Sequence, residues 1–311
     1  MGVITRAIRQ CAAVQAYGKR LLPLAARFEA RDLATPQQPG ALVPRFDLAT
    51  YAALLQDMTG LGIAAAETIR NAGGENDVRT KADGSPVTGA DEAAEAVIRE
   101  GLARLGLPLP VVSEEQADRE WASIAAPSFI LVDPLDGTRE FIAGRDEYTV
   151  NIGVVADGAP VAGVIVAPAL GTLWRGIVGR GAERLKFSAG VASAPEPIRT
   201  RPRPEADILV MVSRSHLDSR TETYLRRWPG ARREASGSAL KFCRVAEGAA
   251  DLYPRLGPTH DWDVAAGHAI VVAARGSVVT PDGTPLVYGT PDLKIPAFLA
   301  CGDPTDVPHE T

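Results

Sequence analysis

Phe129-Ile130-Leu131-Val132-Asp133-Pro134-Leu135-Asp136-Gly137-Thr138 is the stretch that decides how this chain is read. Its four leading apolar residues predict a buried strand that delivers Asp133 to its C-terminal end, where Pro134, having no N–H, halts pairing. Gly137 permits a tight turn, so that both carboxylates and the Leu135 carbonyl can face one point. Mg²⁺ takes oxygen ligands in near-octahedral geometry, usually one or two carboxylates with waters and phosphate oxygens, and Asp133 with Asp136 can bridge two such ions. Read alone, the segment also fits an acidic turn in which Asp136-Gly137 only reverses the chain.

Working outward, the preceding apolar run, Leu109–Val112, predicts a strand ending at Ser113-Glu114-Glu115, so Glu114 can share the edge occupied by Asp133. Glu115 is expected to be a solvated neighbour. Upstream, apolar residues at helical spacing from Asp47 to Ile69 predict a helix stopped by Gly73-Gly74, and Ala90–Leu105 predicts a second helix with Asp91 and Glu92 at its start. Downstream, Tyr148–Val155, Pro160–Ala167, Thr172–Val178 and Ala182–Leu185, separated by turn residues, predict an antiparallel meander. After a Pro- and Arg-rich stretch the order alternates. Strands are expected at Ile208–Val212, Leu252-Tyr253, Ser277–Thr280 and Pro285–Tyr288, and helices at Asp218–Arg227, Ser238–Glu247 and Trp262–Ala274. The predicted organisation is an extension (1–46), an α+β domain (47–193) carrying most candidate metal ligands, and an α/β domain (194–311). Asp261-Trp262-Asp263 opens the last helix, where Asp263 reads either as a capping residue or as a further ligand.

The chain has 311 residues, 46% of them hydrophobic, and 33 Lys+Arg against 38 Asp+Glu give a net charge of -5. This excludes collagen-like, coiled-coil and disordered classes and the electrostatic footprint of a nucleic-acid-polymer binder. Cys11, Cys243 and Cys301 are far apart and form no C-x-x-C pair, which argues against a disulfide framework or structural zinc and fits a cytoplasmic location. The first 28 residues carry five basic and no acidic residues. A transit peptide or a membrane-surface helix giving peripheral contact at the inner membrane is weighed here against a poorly ordered extension, and the extension is preferred.

The segments Lys81-Ala82-Asp83-Gly84-Ser85-Pro86-Val87-Thr88 with Ala90-Asp91, Ser113-Glu114-Glu115, Asp133–Thr138 and Trp262-Asp263 together resemble the inositol monophosphatase superfamily of Mg²⁺-dependent, lithium-sensitive phosphatases. The resemblance runs from about residue 50 to about residue 290. It implies a layered α-β-α-β-α sandwich and two or three Mg²⁺ ions. Glu114, Asp133 and the Leu135 carbonyl would hold the first ion, and Asp133, Asp136 and Asp263 the second. Glu114 and Asp91, through water, would support a weaker third. Thr138 and Asp91 would orient and deprotonate the attacking water, with the backbone around Gly137-Thr138 meeting the phosphoryl oxygens.

Within the superfamily, Ser213-Arg214-Ser215-His216, Gly237-Ser238-Ala239-Leu240-Lys241-Phe242 and Leu252–Thr259 resemble the bacterial CysQ-type 3′(2′),5′-bisphosphate nucleotidases. A second phosphate needs cationic donors beyond the metals: Lys241 and Arg255 supply charge, Ser213, His216 and Ser238 hydrogen bonds, and Gly237 close backbone approach. Lys241, Arg255 and His216 also fit solvated or capping positions. Arg139 and Glu140 fit a phosphate, the third metal or solvent, and His268 is expected to be structural. The expected substrate is a small nucleotide, adenosine 3′,5′-bisphosphate or 3′-phosphoadenosine 5′-phosphosulfate. An inositol or other polyol phosphate is the alternative, a non-catalytic nucleotide-sensing module the remoter one, and a monomer or homodimer the expected assembly.

Overall fold

The computed structural model describes residues 47–72, 78–81, 84–117, 121 and 126–306, so the basic extension and the Gly73-Gly74 helix stop lie outside the described residues. Helices α1 (Leu48–Ala72) and α2 (Gly89–Leu105) flank the small hairpin β1 (Arg79–Thr80) and β2 (Pro86–Val87). The first sheet takes β3 (Val111–Ser113), β4 (Phe129–Asp136), β5 (Thr149–Ala156), β6 (Ala159–Ala167), β7 (Thr172–Ile177), β8 (Gly181–Ser188), β9 (Val191–Ala192) and β10 (Glu196–Ile198), with the short α3 (Thr138–Ile142) after β4. It runs β10-β8-β7-β6-β5-β4-β3 with β9 on β8, antiparallel throughout except that β3 lies parallel to β4.

The second half supplies β11 (Leu209–Ser213), α4 (Ser219–Leu225), β12 (Arg232–Ser236), α5 (Leu240–Ala246), β13 (Leu252–Arg255), β14 (Thr259–His260), α6 (Asp261–Ala273), β15 (Ser277–Val279), β16 (Lys294–Ile295) and β17 (Phe298–Cys301). Its sheet runs β12-β11-β13-β17-β15, and β14 pairs with β16 apart from it. The expected strand at Pro285–Tyr288 does not form. One bridge, Val279 to Pro285, stands there, and the apolar β17, whose four residues are all buried, holds the sheet position between β13 and β15. β12 was likewise not foreseen, because its Arg232, Arg233 and Glu234 are exposed on an edge and carry no apolar alternation.

The layers are α1/α2, first sheet, α5/α6, second sheet and α4, as the expected α-β-α-β-α sandwich requires. Strand alternation explains the stacking: on β6, Val164 and Val166 pack among α1 and α2 side chains, whereas Ile165 and Ala167 join the core containing α5 and α6. On β4, Ile130 and Val132 face the first core, and Phe129 and Leu131 the second. Both faces are covered, so these strands read as continuous apolar runs. α4 closes the far side through Tyr224 and Leu225 against Val210, Val212 and Leu299. Among the described residues no helix is long and apolar enough to cross a membrane.

Two local devices fix the site. Pro134 does not end β4: the ladder skips from Asp133–Asn151 to Asp136–Thr149, a bulge that places the donorless proline where no ladder bond is needed and turns both carboxylates to the same end. The second device is the approach of α6. Gly153, Gly163 and Gly176 are cross-strand partners on β5, β6 and β7, and a Cβ at Gly163 would lie 2.4 Å from the Ala266 carbonyl oxygen. This close backbone approach brings α6, and Asp263 at its start, near the sheet. Gly163→Ala is therefore expected to lower the thermal midpoint by roughly 5–10 °C through overpacking. A calorimetric midpoint within a degree of wild type would contradict that role.

Candidate functional site

A crevice of about 170 Å³ opens where the end of β4, the start of α6 and the edge formed by α5 and β13 converge. It is lined by Glu114, Asp133, Leu135, Asp136, Gly137, Thr138, Ser213, His216, Gly237, Ser238, Lys241, Arg255 and Asp263, so every expected site residue except Asp91 borders it. Asp91 stands behind Thr138, 2% exposed.

Gly137 ends β4 with φ 92°, and a Cβ there would meet the Glu147 carbonyl oxygen at 3.0 Å. This left-handed turn lets α3 begin at Thr138 while Asp136 still points into the crevice. One oxygen from each of Asp133, Asp136 and Asp263 lies within 4.8 Å of the others. Asp133 Oδ1 accepts the Leu135 N–H at 3.1 Å, while its buried Oδ2 has no hydrogen-bond partner among the described residues. Asn151 Nδ2 donates to Asp136 Oδ2 at 3.2 Å. Asp263, third residue of α6, accepts the His260 N–H at 3.1 Å and the Thr259 hydroxyl through Oδ2. A buried carboxylate oxygen without a donor, beside two further carboxylates, fits a hard divalent cation, which takes oxygen ligands and offsets the repulsion.

Charge in the crevice is strained in this sense. Loss of solvent, then the negative neighbours Glu114, Asp136 and Asp263, holds Asp133 well above the usual carboxylate range. Loss of solvent, reinforced by Asp263, pushes Asp136 up to about 6. Glu114 rises to about 7, chiefly by desolvation, against the lowering effect of Lys81. Lys81 Nζ bridges Glu114 Oε1 and Glu115 Oε1, each at 2.7 Å. Glu115 is thus no solvated neighbour but a paired, largely covered one, because Lys81 needs two carboxylates to offset its own burial.

These raised values have a consequence for stability. Below the ordinary carboxylate range both folded and unfolded chains are protonated, and the contribution is complete. It is lost as pH rises through about 6 for Asp136 and about 7 for Glu114, since the unfolded chain gives up those protons first. Metal-free protein is expected to lose roughly 5 °C or more of thermal midpoint between about pH 5 and about pH 8, and added Mg²⁺ to restore it at the upper end. A midpoint that climbs over that interval in chelator would contradict the arrangement.

Thr138 Oγ1 lies 3.0 Å from Asp91 Oδ1 and 3.1 Å from the Leu135 carbonyl. Asp91 is fixed by its other oxygen, which accepts the Thr88 N–H at 2.9 Å and the Thr88 hydroxyl at 2.6 Å in a capping box at the start of α2. Burial raises the Asp91 pKa, opposed by the Thr88 and Thr138 bonds. The first-turn position noted in the sequence and the bond to Thr138 coexist.

Opposite the carboxylates, Lys241 is 2% exposed and therefore not on a solvated helix face. Burial draws its pKa down to about 8, against the pull of Asp136. Its Nζ donates to the carbonyls of Ser236 at 3.1 Å and Ser238 at 2.5 Å, and sits 5.2 Å from the Tyr253 ring centroid. It thereby holds the turn at Ser238, a non-glycine residue with φ 46°. Arg255, beside Asp136 and Asp263, keeps its charge through burial because Tyr253 and Asp263 favour it. His216 is exposed at the rim, its N–H donating to Ser213 Oγ at 3.1 Å. Glu147 pairs with Arg214 through bonds of 2.6 and 2.7 Å and accepts the Gly237 N–H at 3.0 Å, tying the β11 and β12 ends to the loop after α3. Arg139 and Glu140 both line the crevice, with the buried Glu140 accepting the Ser215 hydroxyl. His268 is packed inside α6, bonded to the Tyr288 hydroxyl at 2.9 Å, as expected of a structural histidine.

Sequence reading gave no role to Lys81, Asn151, Thr259 or Glu147. Asn151 offered the clearest signal, a lone amide inside the apolar run of β5. Lys81 stood inside a segment already singled out, with no feature to say which carboxylates it would meet.

A profile of the inositol monophosphatase family matches residues 50–303. The chain is 43% identical over 212 residues to the 3′(2′),5′-bisphosphate nucleotidase CysQ of Shigella flexneri, covering 68% of this chain and 83% of that protein. The crystal structure of CysQ from Bacteroides thetaiotaomicron superposes with a TM-score of 0.71 at 34% identity, covering 82% of this chain and 98% of that one. Inositol monophosphatase from Anabaena superposes with a TM-score of 0.65 at 26% identity, covering 83% and 93%.

Proposed function

The chain belongs to the inositol monophosphatase family and is a phosphatase, and from that premise we propose that it hydrolyses the 3′-phosphate of adenosine 3′,5′-bisphosphate with Mg²⁺. The same site would admit 3′-phosphoadenosine 5′-phosphosulfate, whose 3′ end is identical. The observation that carries the reading is the meeting of Asp133, Asp136 and Asp263 within 4.8 Å beside the Thr138–Asp91 pair, in a crevice whose opposite wall carries Lys241 and Arg255. The likeness to CysQ proteins supports a nucleotide substrate.

In this reading Glu114, Asp133 and the Leu135 carbonyl would hold one ion, Asp133, Asp136 and Asp263 would hold a second, and Glu114 with Asp91 would support a weaker third through water. When bound, Mg²⁺ supplies Lewis acidity toward the phosphoryl oxygens and lowers the pKa of water. Thr138 orients the attacking water, donating its own proton to Asp91 Oδ1 while accepting one from the water. Asp91 can take that proton because burial has raised its affinity for it. Attack in line breaks the P–O bond to the ribose C3′ oxygen, which leaves with a proton, so water and the monoester become the 5′-nucleotide and phosphate. Arg255 offers charge to the remaining phosphate, Ser213, Ser238 and His216 offer hydrogen bonds, and Gly237 leaves room for its approach. Lys241 contributes mainly by holding the Ser236–Ser238 turn, two of its three N–H groups being spent on carbonyls.

Phosphate release should be measured side by side from adenosine 3′,5′-bisphosphate and inositol 1-phosphate with Mg²⁺. The nucleotide is expected to be hydrolysed with at least about tenfold higher kcat/KM, the worth of one charge-assisted contact to a second phosphate. Equal turnover would point to a polyol phosphatase instead.

A further inference from the structure

A second, larger cavity, about 470 Å³, lies along the first sheet beyond the C-terminal end of α6, bounded by α1, β7, β8 and β10. Four arginines line it, Arg175, Arg180, Arg199 and Arg275, against one carboxylate, Glu183. In a chain of net charge -5 this is a marked local excess of positive charge. The five charges differ in what they already do. Arg175 is buried and fully engaged, pairing with Glu183 through Nε at 3.0 Å and bonding Gln56 at 2.9 Å and Thr59 at 3.2 Å. Arg180 is exposed and donates to the Leu48 carbonyl at 3.3 Å. Arg199 and Arg275 are exposed, and their side chains have no hydrogen-bond or ion partner among the described residues.

The backbone brings these last two together. The Thr200 N–H donates to the Ala274 carbonyl at 3.0 Å, so Arg199 and Arg275 flank a single bond. Arg275 holds φ 79°, a left-handed conformation unfavourable for a residue with a side chain. Arginine at the end of α6 also complements the helix dipole, but that role neither requires Arg199 beside it nor builds a cavity. Apart from Gln56, which Arg175 engages, the remaining wall is apolar or small, with Leu55, Ile177, Ile198 and Ala273 among its residues. Its volume is that of a small-molecule site.

We propose that this cavity is a second anion site, separate from the catalytic crevice, which takes a small molecule bearing a phosphate- or sulfate-type group on a compact apolar body. Arg199 and Arg275 bind the tetrahedral oxyanion, Arg180 adds charge, and Leu55, Ile177 and Ile198 contact the body. Guanidinium forks suit such oxyanions by geometry as well as by charge.

The test uses the full chain in EDTA, so that anion binding at the carboxylate-lined crevice is suppressed by repulsion. Pyrophosphate, and separately inorganic sulfate, are the probes in thermal unfolding. At about ten times its dissociation constant an anion is expected to raise the midpoint by about 4 °C. The Arg199→Gln/Arg275→Gln double variant is expected to lose most of that shift while its Mg²⁺-supported phosphate release stays within about twofold of wild type. A control, Arg220→Gln/Arg226→Gln, removes the same charge from exposed positions elsewhere and should keep the shift. No shift with either anion in wild type, an undiminished shift in the first variant, or an equal loss in the control would each overturn the proposal.

Discussion

Asp136→Asn is expected to lower kcat by about 10³-fold or more, roughly 4 kcal/mol of transition-state stabilisation, while leaving the fold intact. The substitution removes one of three carboxylates whose oxygens lie within 4.8 Å of one another, and it removes almost no volume. The new amide oxygen can still accept from Asn151 Nδ2, so that donor keeps its partner. Two further readouts separate loss of a ligand from general damage. The metal-free variant should unfold at or above the wild-type midpoint, because Asp136 is held up to about 6 by desolvation and by repulsion from Asp263, and both disappear with its charge. The stabilisation that Mg²⁺ gives wild type should shrink at the same time. A variant that releases phosphate within threefold of wild type would remove Asp136 from the site.

Asp91→Asn tests the proton relay. General-base catalysis is worth about 10²–10⁴-fold, and a loss in that range is expected in kcat with KM little changed. Asp91 also closes the capping box at the start of α2, so a small fall in stability, about 1 kcal/mol, accompanies it. Thr138→Ala should lower kcat as well, and the double variant should be little worse than Asp91→Asn, because the two groups act as one unit across their 3.0 Å contact. Undiminished turnover in Asp91→Asn, or losses that multiply in the double variant, would contradict the relay.

Much of this arrangement was legible in the chain because the crevice is assembled from strand and helix ends that short motifs mark. The strand before Asp133, the helix opened by Asp261-Trp262-Asp263 and the helix-start position of Asp91 each follow from local pattern. What stayed hidden depends on packing at a distance. Pro134 read as a stop, yet a bulge accommodates it, since only the register with β5 shows that no N–H is needed there. Glu115 read as solvated because its partner Lys81 comes from the β1–β2 hairpin and no spacing links them. Lys241 offered a free cation in sequence and proved to be bonded to the carbonyls of Ser236 and Ser238. The central place of β17 was missed because Pro285–Tyr288 offered a nearer apolar run for the same sheet. The glycines of β5, β6 and β7 looked like ordinary strand glycines until their cross-strand alignment under α6 was seen.

The central claim is that these separated carboxylates meet to hold divalent cations. Crystals soaked in Mn²⁺, a scatterer with the same preference for oxygen ligands, test it most directly by anomalous difference maps. The account predicts a peak among Asp133, Asp136 and Asp263 and another shared by Asp133 and Glu114, both lost when Mn²⁺ is replaced by chelator. Mn²⁺ bound elsewhere on the surface, with this crevice empty of anomalous signal, would contradict it.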